Sequence, residues 1–374
     1  METLEDFLIK EKEGTSQDSG SGVGYLSVHV PEEIIIAAGK VPFRILGSGK
    51  PVKLANAYLP KTFDPYVLDS LEGALEGSYN FLEGVVIANT SDAHRRLYDA
   101  WRLGVNSMKV FFLDVPKGAD SLRVKVFRLA LSSLVRDIER AFGVKISEEG
   151  LRSAIRLCNE TRLLIRKLSE TRKRGIPPLS GEKFFEVIKW SQTHDKPTVN
   201  DTLSKYLEEL GSALKNTEGS GSNGPRIMLM GSLMGSPELI SLIERLGARV
   251  VCEDLCIGMQ YFSSLVDEDS TEPLDALARR YLSIPTARMV DTESRWDYLL
   301  RMAEDFCVDG VIYFALKFDD IYLFEYPHIR NKFQEAGYPV LFIEAENFLT
   351  TLGQIETRVQ AFTEMLDEVC YRKL

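Results

Sequence analysis

Gly84-Val-Val-Ile-Ala-Asn-Thr90, running straight into Ser91-Asp92, is the stretch that decides the fold. A continuous apolar run of this kind is what a parallel strand buried on both faces requires. The pattern beyond it predicts a helix from about Ala93 to Arg102 and a further strand at Lys109-Val-Phe-Phe-Leu113. Alternating strand and helix signals of this sort mark a parallel α/β sheet.

Working outward, Val41–Leu46 and Leu54–Leu59 are short extended candidates, and the Ser- and Gly-rich segment before residue 23 reads as a flexible leader. From about 120 to 215 the pattern changes to helix after helix. Leu151, Ile155, Cys158, Ile165 and Leu168 recur at helical spacing, with Arg152, Arg156, Arg162, Arg166 and Lys167 largely on other faces. Ser180 is placed to cap a helix over Lys183–Trp190, and Glu218-Gly-Ser-Gly-Ser-Asn-Gly224 reads as a linker. A second α/β series begins at Arg226-Ile-Met-Leu-Met230. Ser236-Pro237-Glu238 supplies an expected N-cap, a first-turn proline and an acid favourable to the dipole. Ala248–Cys252, Gly310–Leu316 and Pro339–Ile343 follow as strands, and Gln354–Val369 as a terminal helix. The expected architecture is α/β: two parallel-sheet lobes, Rossmann- or flavodoxin-like, with a helical insert. The divisions fall at 1–22 (leader), 23–119 (first lobe), 120–217 (helical region) and 218–374 (second lobe, ending in a helix). The paired lobes raise the idea of a remote duplication, which no short repeat in the sequence supports.

Charge and composition exclude several classes. The 374 residues carry 45 basic against 55 acidic side chains, a net −10, which speaks against a general nucleic-acid binder. No apolar run reaches the roughly 18–20 residues of a membrane span. The acidic start, Met1-Glu-Thr-Leu-Glu-Asp6, is unlike a secretory signal, and five cysteines do not form a disulfide framework. The expected compartment is the cytoplasm, with neither nucleic acid nor membrane as partner.

Familiar motifs fail on inspection. Gly47-Ser-Gly-Lys50 resembles a phosphate loop, but Pro51 stands where a magnesium-binding hydroxyl belongs. Gly231 and Gly235 follow a strand without the third glycine of a dinucleotide fingerprint, so a tight turn is expected. Cys252 and Cys256 have C-x3-C spacing, yet Met259 replaces a third thiolate, and two thiolates do not close a zinc site. Packing is the expected role of Cys158, Cys252, Cys307 and Cys370. The four histidines are scattered. No metal is expected in this chain.

What does converge lies beyond the carboxyl ends of strands, where open α/β sheets gather ligands. One strong strand ends at Thr90-Ser91-Asp92, the other at Lys317-Phe318-Asp319-Asp320, and both pairs should face a crevice. Ser91 is equally readable as a helix N-cap. The chain here resembles subunits of the benzoyl-CoA reductase / 2-hydroxyacyl-CoA dehydratase family, the 2-hydroxyglutaryl-CoA dehydratase D-component among them. The resemblance is carried by Val30-Pro-Glu-Glu33, Pro42-Phe-Arg-Ile-Leu46, Ala57-Tyr-Leu-Pro60, Ser91-Asp-Ala-His-Arg-Arg-Leu-Tyr-Asp-Ala-Trp101, Glu253-Asp254, Asp309-Gly-Val-Ile312, Tyr322-Leu-Phe-Glu-Tyr-Pro327 and Gly353-Gln354, in the family's order from about residue 24 to 370.

The resemblance implies a dimer of related subunits, each typically holding a [4Fe–4S] cluster through three cysteines. It also implies an ATP-hydrolysing activator that delivers single electrons toward a bound acyl-CoA. This chain departs from the pattern at the cluster positions. Asp64 stands before Pro65-Tyr66, Ser91 at the strand end, and Asp319 after Lys317-Phe318, where the family has its cysteines. Hard oxygen donors do not favour an iron–sulfur cluster. No cofactor is therefore expected in this chain, with [4Fe–4S] expected in a paralogous partner subunit, and an aromatic acyl-CoA as the preferred substrate class. Asp92, His94 and Asp320 are the remaining substrate-crevice candidates; no catalytic residue is identified. The alternatives are a non-enzymatic assembly or regulatory homologue, and a stand-alone enzyme in which Asp64 and Asp319 do acid–base work or hold a hard metal. Finally, the stretch from about 121 to 175, Arg123 through Arg174, is strongly basic against the acidic whole. It reads either as a solvated helical face or as a surface for the phosphates of coenzyme A or an acidic partner.

Overall fold

A computed structural model describes residues 22–47, 49, 51–173, 175, 177–214, 224–288, 291–346 and 352–371. Strands β1 (Gly22–Leu26), β2 (Val41–Arg44), β3 (Leu82–Asn89) and β4 (Lys109–Asp114) form one parallel sheet in the order β2-β1-β3-β4. Strands β5 (Arg226–Gly231), β6 (Arg249–Asp254), β7 (Gly310–Leu316) and β8 (Val340–Ala345) form a second, in the order β6-β5-β7-β8. The apolar runs that announced β3 and β7 are indeed buried; every residue of β7 is inaccessible or nearly so. Each sheet has the same order, so each reverses direction between its first and third strands. Such a switch point opens a crevice at the carboxyl ends, where ligands bind.

Local expectations failed in three places. Leu54–Leu59 contains no strand but a 3-10 turn, Ala55–Ala57. The amides of Leu54 and Ala55 donate to the Glu72 carboxylate at 3.0 and 2.8 Å, so a side chain, not a ladder partner, satisfies this backbone. Ser236 is not the cap expected of it: Pro237 occupies that position before the helix Glu238–Arg245, with no side-chain cap. Cys307 is exposed rather than packed, held at φ +49° in the turn after the helix Thr292–Asp305. Cys158 and Cys252 are fully buried as expected. Of the segment read as a leader, Gly22 opens β1 and the rest lies outside the described residues, as do most of the linker and the side chain of Cys370.

Ser180 does cap its helix, Gly181–Ser191, accepting from the Lys183 amide at 3.2 Å. It is one of four helices, with Ser121–Phe142, Glu148–Glu170 and Lys196–Leu214, that fill the middle of the chain. They do not form a separate body. Ser121–Phe142 packs on β4 and on Pro273–Leu282 of the second half, while Glu148–Glu170 packs on Glu32–Ala37 of the first. One hydrophobic core accordingly runs from Val23 to Leu366 through both lobes.

These contacts account for four arginines of the basic stretch, while Arg123, Lys125, Arg136, Arg140, Arg156 and Lys167 are exposed, as on a solvated helical face. Arg162 lies 2.8 Å from Glu33, Arg172 pairs with Glu253, Arg166 donates to the carbonyls of Phe262 and Ser263, and Arg152 to those of Ser270 and Thr271. These four arginines join helix to lobe and are spent on structure, not offered to an anion; Arg174 lies outside the described residues. Among the described residues no helix is long and apolar enough to cross a membrane.

Candidate functional site

The carboxyl ends of both sheets converge. Asp64 caps the helix Pro65–Leu75, its Oδ1 accepting from the Tyr66 amide at 2.9 Å. Ser91 caps Asp92–Gly104: its Oγ accepts from the His94 amide at 3.2 Å and lies 2.9 Å from His94 Nδ1. Asp319 is reached differently. Gly231 ends β5 at φ +123°, where a β-carbon would collide with the Phe314 carbonyl oxygen, so only glycine fits. That turn sets the Ser232 hydroxyl to accept from the Leu316 amide at 3.0 Å and donate to Asp319 Oδ2 at 2.7 Å. Phe318, at φ +69°, swings the chain so that Asp319 follows it into the cleft.

Asp64, Ser91 and Asp319 all line one crevice of about 860 Å³ between the lobes, as do Asp92 and Asp320. Asp92 is exposed and pairs with Arg96 at 3.6 Å, which places it at the outer mouth. His94 is not on that wall. It lines a smaller chamber of about 80 Å³ that shares Asp64, Thr90, Ser91, Arg288 and Asp319 with the crevice. The chamber adds Arg44, from the end of β2, and Cys256, from the turn after β6.

Burial dominates the electrostatics. It drives the Asp64 carboxyl well above its ordinary range, with the negative charge of Asp319 adding to the effect. Asp319 is itself pushed up to about 6 by burial, against the stabilising hydrogen bond from Ser232. Burial, then the cations Arg44 and Arg288, take His94 down to about 3, and burial takes His29 of the same chamber to about 3. Cys256 is held as a thiol by burial. On the wall of the crevice, Arg295 is clamped between Asp254 at 2.6 Å and Glu325 at 2.7 Å. Among the described residues no group of three His, Cys, Asp or Glu side chains is arranged to hold a metal ion.

Sequence reasoning passed over Arg44, Arg288 and Cys256 as site residues. Arg44 lies within Pro42-Phe-Arg-Ile-Leu46, one of the stretches that carry the family resemblance, which was the only available signal.

The profile of a family described as 2-hydroxyglutaryl-CoA dehydratase, D-component, matches residues 27–366. The chain belongs to this family. Its relatives include the (R)-phenyllactyl-CoA dehydratase beta subunit of Clostridium sporogenes, 27% identical over 98% of this chain and 96% of the relative. The beta subunit of the lactoyl-CoA dehydratase of Anaerotignum propionicum is 26% identical over 93% of each. A benzoyl-CoA reductase subunit of Thauera aromatica is 26% identical over 91% of this chain and 90% of the relative. Dehydratase and reductase subunits stand equally near, so identity does not choose between the two chemistries for this family member.

Proposed function

We propose that this chain is the cluster-free subunit of a cytoplasmic acyl-CoA dehydratase or reductase heterodimer. A cysteine-bearing paralogous partner holds the [4Fe–4S] cluster and receives electrons from an ATP-dependent activator or electron-donor protein. The observation that carries the reading is the donor set. Asp64, Ser91 and Asp319, reached from both lobes, line one crevice and present only oxygen. Two of these groups already cap helices, and the third is held by Ser232. Among the described residues lining the two cavities only Cys256 carries sulfur, as a buried thiol. Iron–sulfur clusters need several thiolates, so these residues do not fit one. The crevice is of a size to take part of an acyl-CoA, with Arg95 and Lys117 supplying cations for phosphate on its wall. An aromatic acyl group is our preferred class.

The test is anaerobic purification of the chain alone and with its partners, followed by iron and acid-labile sulfide analysis. The chain alone should be colourless and the heterodimer brown. A brown isolated chain with about four irons would overturn the reading. A second reading, acid–base work by Asp64 and Asp319, is favoured by the raised pKa of both carboxyls and the influence of Asp319 on Asp64, since neighbouring carboxyls with displaced pKa values are a catalytic pattern. Turnover of an acyl-CoA by the isolated chain, lost in Asp64→Asn, would select it.

A further inference from the structure

Arg44 is 1% exposed, and no ion pair is formed by it among the described residues. Among the described residues its Nη2 donates only to Cys256 Sγ, at 3.5 Å, while Nε and Nη1 have no partner. The guanidinium lies over the Tyr25 ring, 5.4 Å from its centroid. Other buried cations have protein oxygen partners: Arg162, Arg172, Arg295 and Lys196 each meet a carboxylate, and Arg280 donates to the backbone carbonyls of Tyr261 and Ser264. A buried charge left without a counter-ion is strongly disfavoured, and buried N–H groups are seldom left unsatisfied. Arg44 forms part of the wall of the 80 Å³ chamber, beside Ser91, Thr90 and Arg288, whose own Nε also lacks a protein partner.

We propose that this chamber binds a small monocarboxylate, with Arg44 as its buried counter-ion and Arg288 and the Ser91 and Thr90 hydroxyls closing around it. Size and charge both limit the ligand. At roughly 10–15 Å³ per water-sized sphere, the chamber takes about five to eight heavy atoms. A dianion such as phosphate would face Asp64 and Asp319 on the same wall, whereas a monoanion matches one fully buried cation. Cys256 does not replace the ligand, because a neutral thiol brings no charge. The proposal rests on the cluster-free reading, since a cluster held at Asp64, Ser91 and Asp319 would occupy the same space.

Thermal unfolding of the full-length chain in sodium lactate, against sodium chloride at equal ionic strength, tests it. The wild type should gain about 2 °C at lactate tenfold above its Kd. Arg44→Met should lose the lactate response while unfolding at or above the wild-type chloride midpoint, because an unpaired buried charge has been removed. Calorimetric titration of the wild type with lactate keeps the question decidable if the variant does not fold. Equal midpoints in lactate and chloride, no calorimetric binding, or an undiminished response in Arg44→Met would overturn the proposal. Iron analysis of the same preparation separates the two failures: iron-bearing protein removes the cluster-free reading, while colourless protein indifferent to lactate removes only the carboxylate site.

Discussion

Arg162→Met should be among the most damaging single changes in this protein. Arg162 is wholly buried, 2.8 Å from Glu33 Oε1 and 3.5 Å from Glu32 Oε1, and donates to the Tyr281 hydroxyl at 3.0 Å. The contact with Glu33 is an ion pair by distance. The two carboxylates are unequally supported. Glu32 keeps Lys196 at 2.8 Å and the Tyr261 hydroxyl at 2.7 Å; burial opposes its charge, yet Lys196 and Arg162 together hold it below the usual range. Among the described residues Glu33 would keep only the Tyr281 hydroxyl, at 2.7 Å. Removing one partner of a buried pair leaves an uncompensated charge and costs about 3–5 kcal/mol. Adding Glu33→Gln removes that orphaned charge, so the double variant should be less damaged than the sum of the singles by about 1–3 kcal/mol. Urea unfolding followed by circular dichroism and by fluorescence of the three tryptophans supplies both numbers, provided the two transitions coincide. A single variant within about 1 kcal/mol of wild type, or singles additive within about 0.5 kcal/mol, would refute the reasoning.

Asp319, ordinarily near 3.8 and here about 6, binds its proton more tightly folded than unfolded. Its contribution to stability is full below 3.8 and is lost as pH rises through 6, by up to about 3 kcal/mol at ~1.36 kcal/mol per pKa unit; the stability gap between wild type and Asp319→Asn should therefore change between pH 4 and 7.5, and a constant gap would contradict the assignment. Gly231→Ala, at φ +123° and against the Phe314 carbonyl, should lower stability by about 1–3 kcal/mol or more, read from the denaturation midpoint; an unchanged midpoint would mean the turn relaxes freely. Asp64→Cys/Ser91→Cys/Asp319→Cys, reconstituted anaerobically with iron and sulfide, should acquire iron that the wild type does not, and equal iron in both would deny the three positions their proposed equivalence.

The parallel strands were legible because burial on both faces leaves an unbroken apolar run, and Gly310–Leu316 could be little else. Leu54–Leu59 has a similar apolar look and misled, because what fixes it is Glu72, a charged residue elsewhere in the chain. The crevice was foreseeable from strand-end logic alone, which turned Ser91 and Asp319 toward one crevice. Arg44 was not: its meaning depends on Cys256, 212 residues away, and on the lack of a carboxylate beside it. Periodicity carries no information of that kind. Within the basic stretch, Arg123, Lys125, Arg136, Arg140, Arg156 and Lys167 are exposed as a solvated face requires, but Arg162 misled for the same reason as Arg44. An arginine on a helix looks solvated until its partner is known, and the partners of Arg162 lie at Glu32 and Glu33, on a helix near the other end of the first lobe.

The residues proposed to replace the cysteines also say why the fold would tolerate the exchange. Asp and Ser are among the best N-cap residues, worth about 0.5–2 kcal/mol over alanine. Asp64 and Ser91 each make the cap bond of the helix that follows. A chain relieved of holding metal at these points would gain local stability from oxygen there, without moving the backbone. Asp319 stands apart, since it makes no cap bond and depends on Ser232, which in turn depends on the glycine turn at the end of β5. Its carboxyl is raised by burial and pairs with no cation among the described residues, an arrangement that capping alone does not require. Of the three positions, Asp319 is therefore the one that helix capping does not account for, and it adjoins the chamber that Arg44 enters from the other lobe.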